Sequence, residues 1–280
     1  MLTISTMPIR TRTPSTRETS NLVSHILRLR ALGRRLEVRC IGDSADVLAF
    51  AMRASWSRCL SDGGGGDCGP SDTLHLDAHL DDSGRLAYQL MSTTQEITRT
   101  LIAGQAGRLL MLHAGAVSHP ETGASLVYVA PGGTGKTTLS RLLGQRFGYL
   151  TDETVGIADD GAIHPYPKPL SVRRPDAPHL KDELSPDGLG LLPAPIAPQV
   201  ARIIVLDRDP ELGASVETEE LSVMDALFAV VEETSSLSWL DRPLHRLADL
   251  LEASGPVLRV RYAEASEIED YLSALLAGRS

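Results

Sequence analysis

The stretch APGGTGKTT, Ala130 to Thr138, sets Gly132, Gly133 and Gly135 around Thr134 and follows them at once with Lys136, Thr137 and Thr138. Glycines at this density let a backbone turn its N–H groups inward, and a lysine and a hydroxyl next to such a turn suit a phosphate and the metal that travels with it. The pattern GxxxxGK[ST] runs from Ala130 to Thr137, with alanine in the first glycine position. Phosphates need the loop between a strand and the positive end of a helix. SLVYVA, Ser125 to Ala130, is an apolar β-rich run, and TTLSRLLGQRFG places Leu139, Leu142, Leu143 and Phe147 on one helical face. Gly132, Gly133, Thr134, Gly135, Lys136, Thr137 and Thr138 are therefore expected to bind a nucleotide, with Thr137 also a magnesium ligand.

A phosphate loop of this kind works with an acid near the metal, at the end of a sheet strand. Two acidic positions compete for that place. GYLTDE brings Asp152 and Glu153 directly after the expected loop helix, whereas RIIVLD ends an apolar strand on Asp207. Adjacent acids can divide the labour, one holding magnesium while the other accepts a proton from an attacking hydroxyl. Asp159 and Asp160 precede Gly161 between two apolar runs and read as a hairpin turn. Lys168, Arg173 and Arg174 in PYPKPLSVRR are cations that could meet a phosphate or an acidic substrate, or form a solvated basic face. His75, Asp77 and His79 share the polar face of TLHLDAHL, which reads as an exposed strand edge, with a metal site as the alternative.

The chain has 280 residues, enough for one good core and a small second module, with 42% hydrophobic and 22% charged residues. A net charge of -9 argues against a duplex-binding surface, which has to neutralise backbone phosphates with lysine and arginine. Cys40, Cys59 and Cys68 are odd in number and lack CxxC spacing, so a reducing, cytoplasmic setting is expected. No run of about 18 apolar residues is present, so neither a membrane span nor a membrane partner is expected.

Residues 1–20 read as a disordered tail, 21–107 as a small N-terminal α/β module and 108–280 as the phosphate-loop domain. Within the module, Leu22, Val23, Ile26, Leu27 and Leu29 lie near helical spacing, LEVRCIG is a strand, and Ala45 to Leu60 a helix. SDGGGGDCGP, Ser61 to Pro70, is a loop; DDSG is read as a turn between TLHLDAHL and a returning strand RLAYQLM, and Thr94 to Met111 as a helix. Beyond it, strands and helices alternate in the manner of an α/β sheet, interrupted by the proline-rich loop Ser185 to Gln199.

LLMLHAGAV, SLVYVAPGGTGKTTLSRLL and FGYLTDETVGI together resemble the HPr kinase and phosphoenolpyruvate carboxykinase-like group of P-loop kinases, closest in style to HPr kinase-related proteins of bacterial biosynthetic clusters, including lasso peptide kinases. The resemblance spans Leu109 to Val172 and extends loosely to the C-terminus. It implies an α/β fold with an HPr kinase-like P-loop core behind the small N-terminal module. It further implies an ATP- and magnesium-dependent kinase acting on a hydroxyl, such as a serine, of a peptide, protein or small molecule. Asp152 would be the base, Glu153 a metal ligand beside Thr137, and His113 a residue near the transferred phosphate, with Lys136 stabilising it. Lys168 and Arg173 are the expected substrate cations, and a homo-oligomer stays open. The family's usual second acid is aspartate, and its downstream Glu-hydrophobic-Arg-Gly-Leu-Gly signature is absent, so HPr as substrate does not follow. Two other readings compete: a nucleotide hydrolase or switch served by Asp207, and a module that keeps ATP as a regulatory ligand.

Overall fold

The computed structural model describes residues 24–61, 71–80 and 83–278. The expected tail and nearly all of the glycine-rich run lie outside them.

The chain opens on two strands, β1 (Ser24–Ala31) and β2 (Arg34–Ile41), paired antiparallel. A helix was expected over the first of these, and the burial explains the difference. Leu27, Leu29 and Ala31 are buried while Arg28 and Arg30 are exposed, a strict period of two, so only a strand hides the apolar set. Leu32 and Gly33 then turn with φ of 52° and 71°, the left-handed pair that a two-residue hairpin needs. Helix α1 (Ala45–Ser55) carries the chain across to β3 (Ser71–Asp77), which lies parallel to β2. RLAYQLM, expected as a strand, instead belongs to helix α2 (Ser83–Gln105). Leu86, Leu90, Ile97 and Leu101 recur at helical spacing and pack on the core of this sheet, alongside Trp56, Met52 and Leu48.

The main sheet is built on β4 (Leu110–Ser118), β5 (Ala124–Val129), β6 (Gly148–Thr151), β7 (Thr154–Ile157), β8 (Ile163–His164), β11 (Gln199–Arg208), β12 (Glu217–Leu221), β13 (Thr234–Ser235) and β14 (Val257–Tyr262). Strands β5, β11 and β14 run parallel, and β4 joins β5 antiparallel. The far edge of β4 is shared: its end at Ala116–Ser118 pairs with β6, and its start at Leu110–His113 pairs with β7. Asp152 and Glu153 fill the step between those two short strands.

Alternation along the central strands feeds two cores. Leu126 and Tyr128 of β5, with Ile204 and Leu206 of β11, pack on helices α3 (Lys136–Leu143) and α6 (Glu269–Leu276). Val127, Val129, Ile203 and Val205 face helices α4 (Val223–Val231) and α5 (Pro243–Ala253). Helices on both faces of a mixed sheet make this an α/β fold. A separate two-stranded hairpin, β9 (Leu170–Arg173) and β10 (Lys181–Leu184), stands off the main sheet. Residues 185–198 form neither helix nor named strand, and Gln199 already opens β11. They run along β6, where Leu192 accepts from Tyr149 at 3.0 Å and donates to Gly144 at 2.7 Å, and they do not line the cavity described below. No described helix is long and apolar enough to cross a membrane.

Candidate active site

Strand β5 ends at Val129 and helix α3 begins at Lys136, with the glycine loop between them. Gly133 and Gly135 have φ of 88° and 104°, which L side chains rarely adopt, and Gly135 is the helix N-cap. The loop is pinned from within and from across the sheet: Thr134 Oγ1 donates to Pro131 at 2.8 Å, and Tyr262 of β14 donates to the Thr134 carbonyl at 2.7 Å. The Lys136 ammonium lies under the loop, bonded to the carbonyls of Ala130 and Pro131. Burial lowers its pKa to about 8, against the pull of Glu233, Asp152 and Glu153. Gly132, Gly133, Gly135, Lys136, Thr137 and Thr138 all line one cavity of about 530 Å³, together with His113, Asp152, Glu153, Lys168 and Arg173. Of the expected residues, six of the seven in the glycine loop, the acids Asp152 and Glu153, and the cations Lys168 and Arg173 thus meet in one place, while Thr134 does not line the cavity.

Asp152 is buried and receives three donors. Thr137 Oγ1 donates to its Oδ2 at 2.8 Å, Tyr149 to its Oδ1 at 3.0 Å, and the Lys168 ammonium stands 2.9 Å from the same Oδ1. Lys168 also reaches Glu153 Oε2 at 3.1 Å and the Pro169 carbonyl at 3.0 Å. An ammonium has three N–H groups, and these three acceptors use them all. Lys168 was expected as a substrate cation; its side chain is 1% exposed and serves as a clamp across the two acids. Burial alone would lower its pKa, but Asp152, Glu153 and Glu183 outweigh that and raise it, so it stays charged. Glu153 differs from Asp152 in being partly open, with its side chain 35% exposed.

His113 sits on β4 with its backbone N–H donating to Glu233 at 2.6 Å. Burial, then the nearby Lys136, lower its pKa below the ordinary histidine value, so the imidazole is neutral near pH 7. Asp207, the competing acid, is elsewhere: it pairs with Arg261 at 3.2 Å and does not line the cavity, whereas its neighbour Arg208 does. Of the other cations, Arg174 pairs with Asp182 at 2.6 Å, and Arg173 keeps its place on the cavity wall. Asp159 and Asp160 turn the chain from β7 into β8, as expected. His75 and Asp77 are exposed along β3, and no group of three metal-ligating side chains occurs among the described residues.

Sequence reasoning missed several cavity residues. Met91, Thr94 and Gln95 come from α2, and Arg141 from the loop helix. Lys181 and Glu183 come from β10. For β9 a signal existed, since LSVR alternates, whereas KDEL of β10 places three polar residues in a row and gives none. The carboxyl of Glu183 is pushed up to about 7 by burial, with Lys168 and the Ser171 hydroxyl at 2.8 Å opposing the shift.

No protein-family model and no curated protein sequence matches the chain. Among solved structures, the HPr(Ser) kinase/phosphatase from Coxiella burnetii matches over 60% of this chain and 94% of its own, at 13% identity and a TM-score of 0.29.

Proposed function

We propose that the protein is an ATP-dependent kinase of the HPr kinase-like kind, which transfers the γ-phosphate to the hydroxyl, such as a serine, of a peptide, protein or small molecule. One observation carries the reading: Thr137, the hydroxyl of the phosphate loop, donates at 2.8 Å to a carboxylate that a buried lysine couples to a second, open carboxylate. Binding a nucleotide needs only the loop. Two clamped acids beside it suit a reaction in which a proton must leave an incoming hydroxyl. The hydrolase reading through Asp207 has less support, since that carboxylate is paired with Arg261 away from the cavity.

The loop amides and Lys136 hold the phosphates, aimed at charge that grows on the phosphoryl oxygens. Thr137 and Asp152 are the residues fitted to hold magnesium, which would neutralise phosphate charge when bound. On this geometry the two acids exchange the roles expected from sequence. Both oxygens of Asp152 already face donors within the chain, Thr137 among them, so Asp152 is placed with Thr137 on the metal side. Glu153 gives only Oε2 to Lys168, and its Oε1 is the atom proposed to take the acceptor's proton. His113, neutral on the cavity wall, is placed to hydrogen-bond the transferred group.

The test is transfer of label from γ-labelled ATP to a panel of hydroxyl acceptors. Glu153→Gln should keep nucleotide affinity and lose transfer by about 10²–10⁴-fold. Asp152→Asn should raise the magnesium concentration needed for half-maximal rate. Near-native transfer by Glu153→Gln sinks the base assignment, and label released only as free phosphate, in every variant that turns over, sinks the kinase.

A further inference from the structure

The hairpin β9–β10 presents its two faces to different surroundings. On one face Arg174 and Asp182 neutralise each other. On the other stand Ser171, Arg173, Lys181 and Glu183, all lining the cavity. Ser171 and Glu183 are cross-strand partners and hydrogen-bond at 2.8 Å. Arg173 and Lys181 are also directly opposite, yet they are two cations, and neither forms an ion pair among the described residues. Like charges directly opposed across a strand pair are destabilising, and a chain with 36 acidic and 27 basic side chains had acids enough to break this one up. Glu183 on the same face does not cancel the pair, because burial favours its neutral form and its carboxyl is turned to Ser171.

The cations stand on a different element of the cavity wall from the glycine loop. Asp152 bonds Thr137 of the phosphate loop in one direction and, in the other, Lys168, two residues before β9. The nucleotide's phosphates already have the loop amides, Lys136 and Thr137, on a different element. Resting on the kinase reading, we propose that Arg173 and Lys181 form the docking site for an anionic group, carboxylate or phosphate, that the acceptor carries close to its reactive hydroxyl. An arginine and a lysine side by side offer a fork and a point charge to such a group, and its arrival relieves their mutual repulsion.

Binding, read without turnover, tests this in the full chain with magnesium and a non-hydrolysable ATP analogue. The probes are a fluorescent serine peptide flanked by glutamates, its glutamine counterpart, and glycerol 3-phosphate against glycerol as competitors. The acidic peptide, or glycerol 3-phosphate, should bind at least about tenfold tighter than its neutral counterpart. That preference should shrink as salt rises from about 0.05 to 0.3 M. The double variant Arg173→Gln, Lys181→Gln should abolish it while nucleotide affinity stays within about twofold. Arg173→Lys should retain most of it. The free double variant should also melt no lower than the native protein, since a repulsion is removed. Which probe shows the preference separates an acidic peptide from a small phosphorylated alcohol. Equal binding of charged and neutral probes, no binding of either anion, a preference that survives the double variant, or a loss of nucleotide affinity in its place would each overturn the proposal. Because no transfer is involved, a charge preference without labelled product would leave the site standing and count against the kinase.

Discussion

Lys168 has no donor left for a ligand, so its effect on chemistry must pass through the acids it holds. Lys168→Met would leave the Asp152 carboxylate buried without its cation. Breaking one side of a buried pair costs about 3–5 kcal/mol, so the melting temperature should fall by about 10 °C, measurable by circular dichroism. Stability that is unchanged would mean the clamp is not formed. Glu183 gives a prediction of opposite sign. Its folded pKa of about 7 lies above the value near 4.3 expected for an unfolded glutamate, so the native state binds more protons between those limits. Stability should therefore decline as pH rises from about 4.5 to 7 and level off above, by about 3 kcal/mol if Glu183 acts alone. Glu183→Gln should flatten that window and stabilise the protein at pH 8, as read from denaturant melts at several pH values. A slope that persists in the variant would assign it to another group.

At the scale of elements, the site depends on how β4, β5 and α3 stack. Gly115 of β4 pairs with Tyr128 of β5, and a Cβ built at Gly115 would come within 2.1 Å of that ring. The Tyr128 hydroxyl bonds Ser140 of α3, the helix after the glycine loop, at 2.5 Å, so the ring fixes α3 to the sheet. Gly115→Ala should cost about 1–3 kcal/mol by overpacking and weaken nucleotide affinity along with it, whereas a stability loss with affinity intact would uncouple the ring from the loop. The elements around this stack were legible because their signals are local. The glycine loop, its flanking strand and helix, and the acids at the end of β6 all fall within a few tens of residues of one another. Legibility failed where two periods overlap: Leu22, Val23, Ile26, Leu27 and Leu29 lie near helical spacing while Leu27, Leu29 and Ala31 alternate, and the alternation, closed by the Leu32–Gly33 turn, is the one the fold uses. In RLAYQLM the alternation was too short to outweigh the long helical stripe it begins. The clamp of Lys168 and the Arg173–Lys181 pair were beyond reach, since each depends on which strands meet across the fold.

Across the whole molecule, the three-stranded sheet and the main sheet share buried residues. Tyr166 lies between β8 and β9, yet it belongs to the core of the first sheet. There it contacts the ring of Trp56 at 6.2 Å and bonds Thr98 of α2 at 2.8 Å. Its own N–H donates to Leu150 of β6 at 3.0 Å, and its carbonyl accepts from Lys168 at 2.8 Å. The N-terminal core thus buttresses the segment that carries the clamp, and α2 adds Met91, Thr94 and Gln95 to the cavity wall. If the two parts stand together, they should unfold together. The chain has two tryptophans, Trp56 and the exposed Trp239, so Trp239→Phe leaves Trp56 as the reporter of the first core. Release of a fluorescent ATP analogue reports the loop. In guanidinium the two signals should give one midpoint. Truncating Trp56 to alanine would remove the first reporter but should still lower the midpoint for nucleotide release, by a cost of about 3–5 kcal/mol, although Trp56 lines no part of the site. Two separate midpoints, or nucleotide release indifferent to Trp56→Ala, would make the N-terminal part an independent domain and remove Tyr166 as the tie between its packing and the acids.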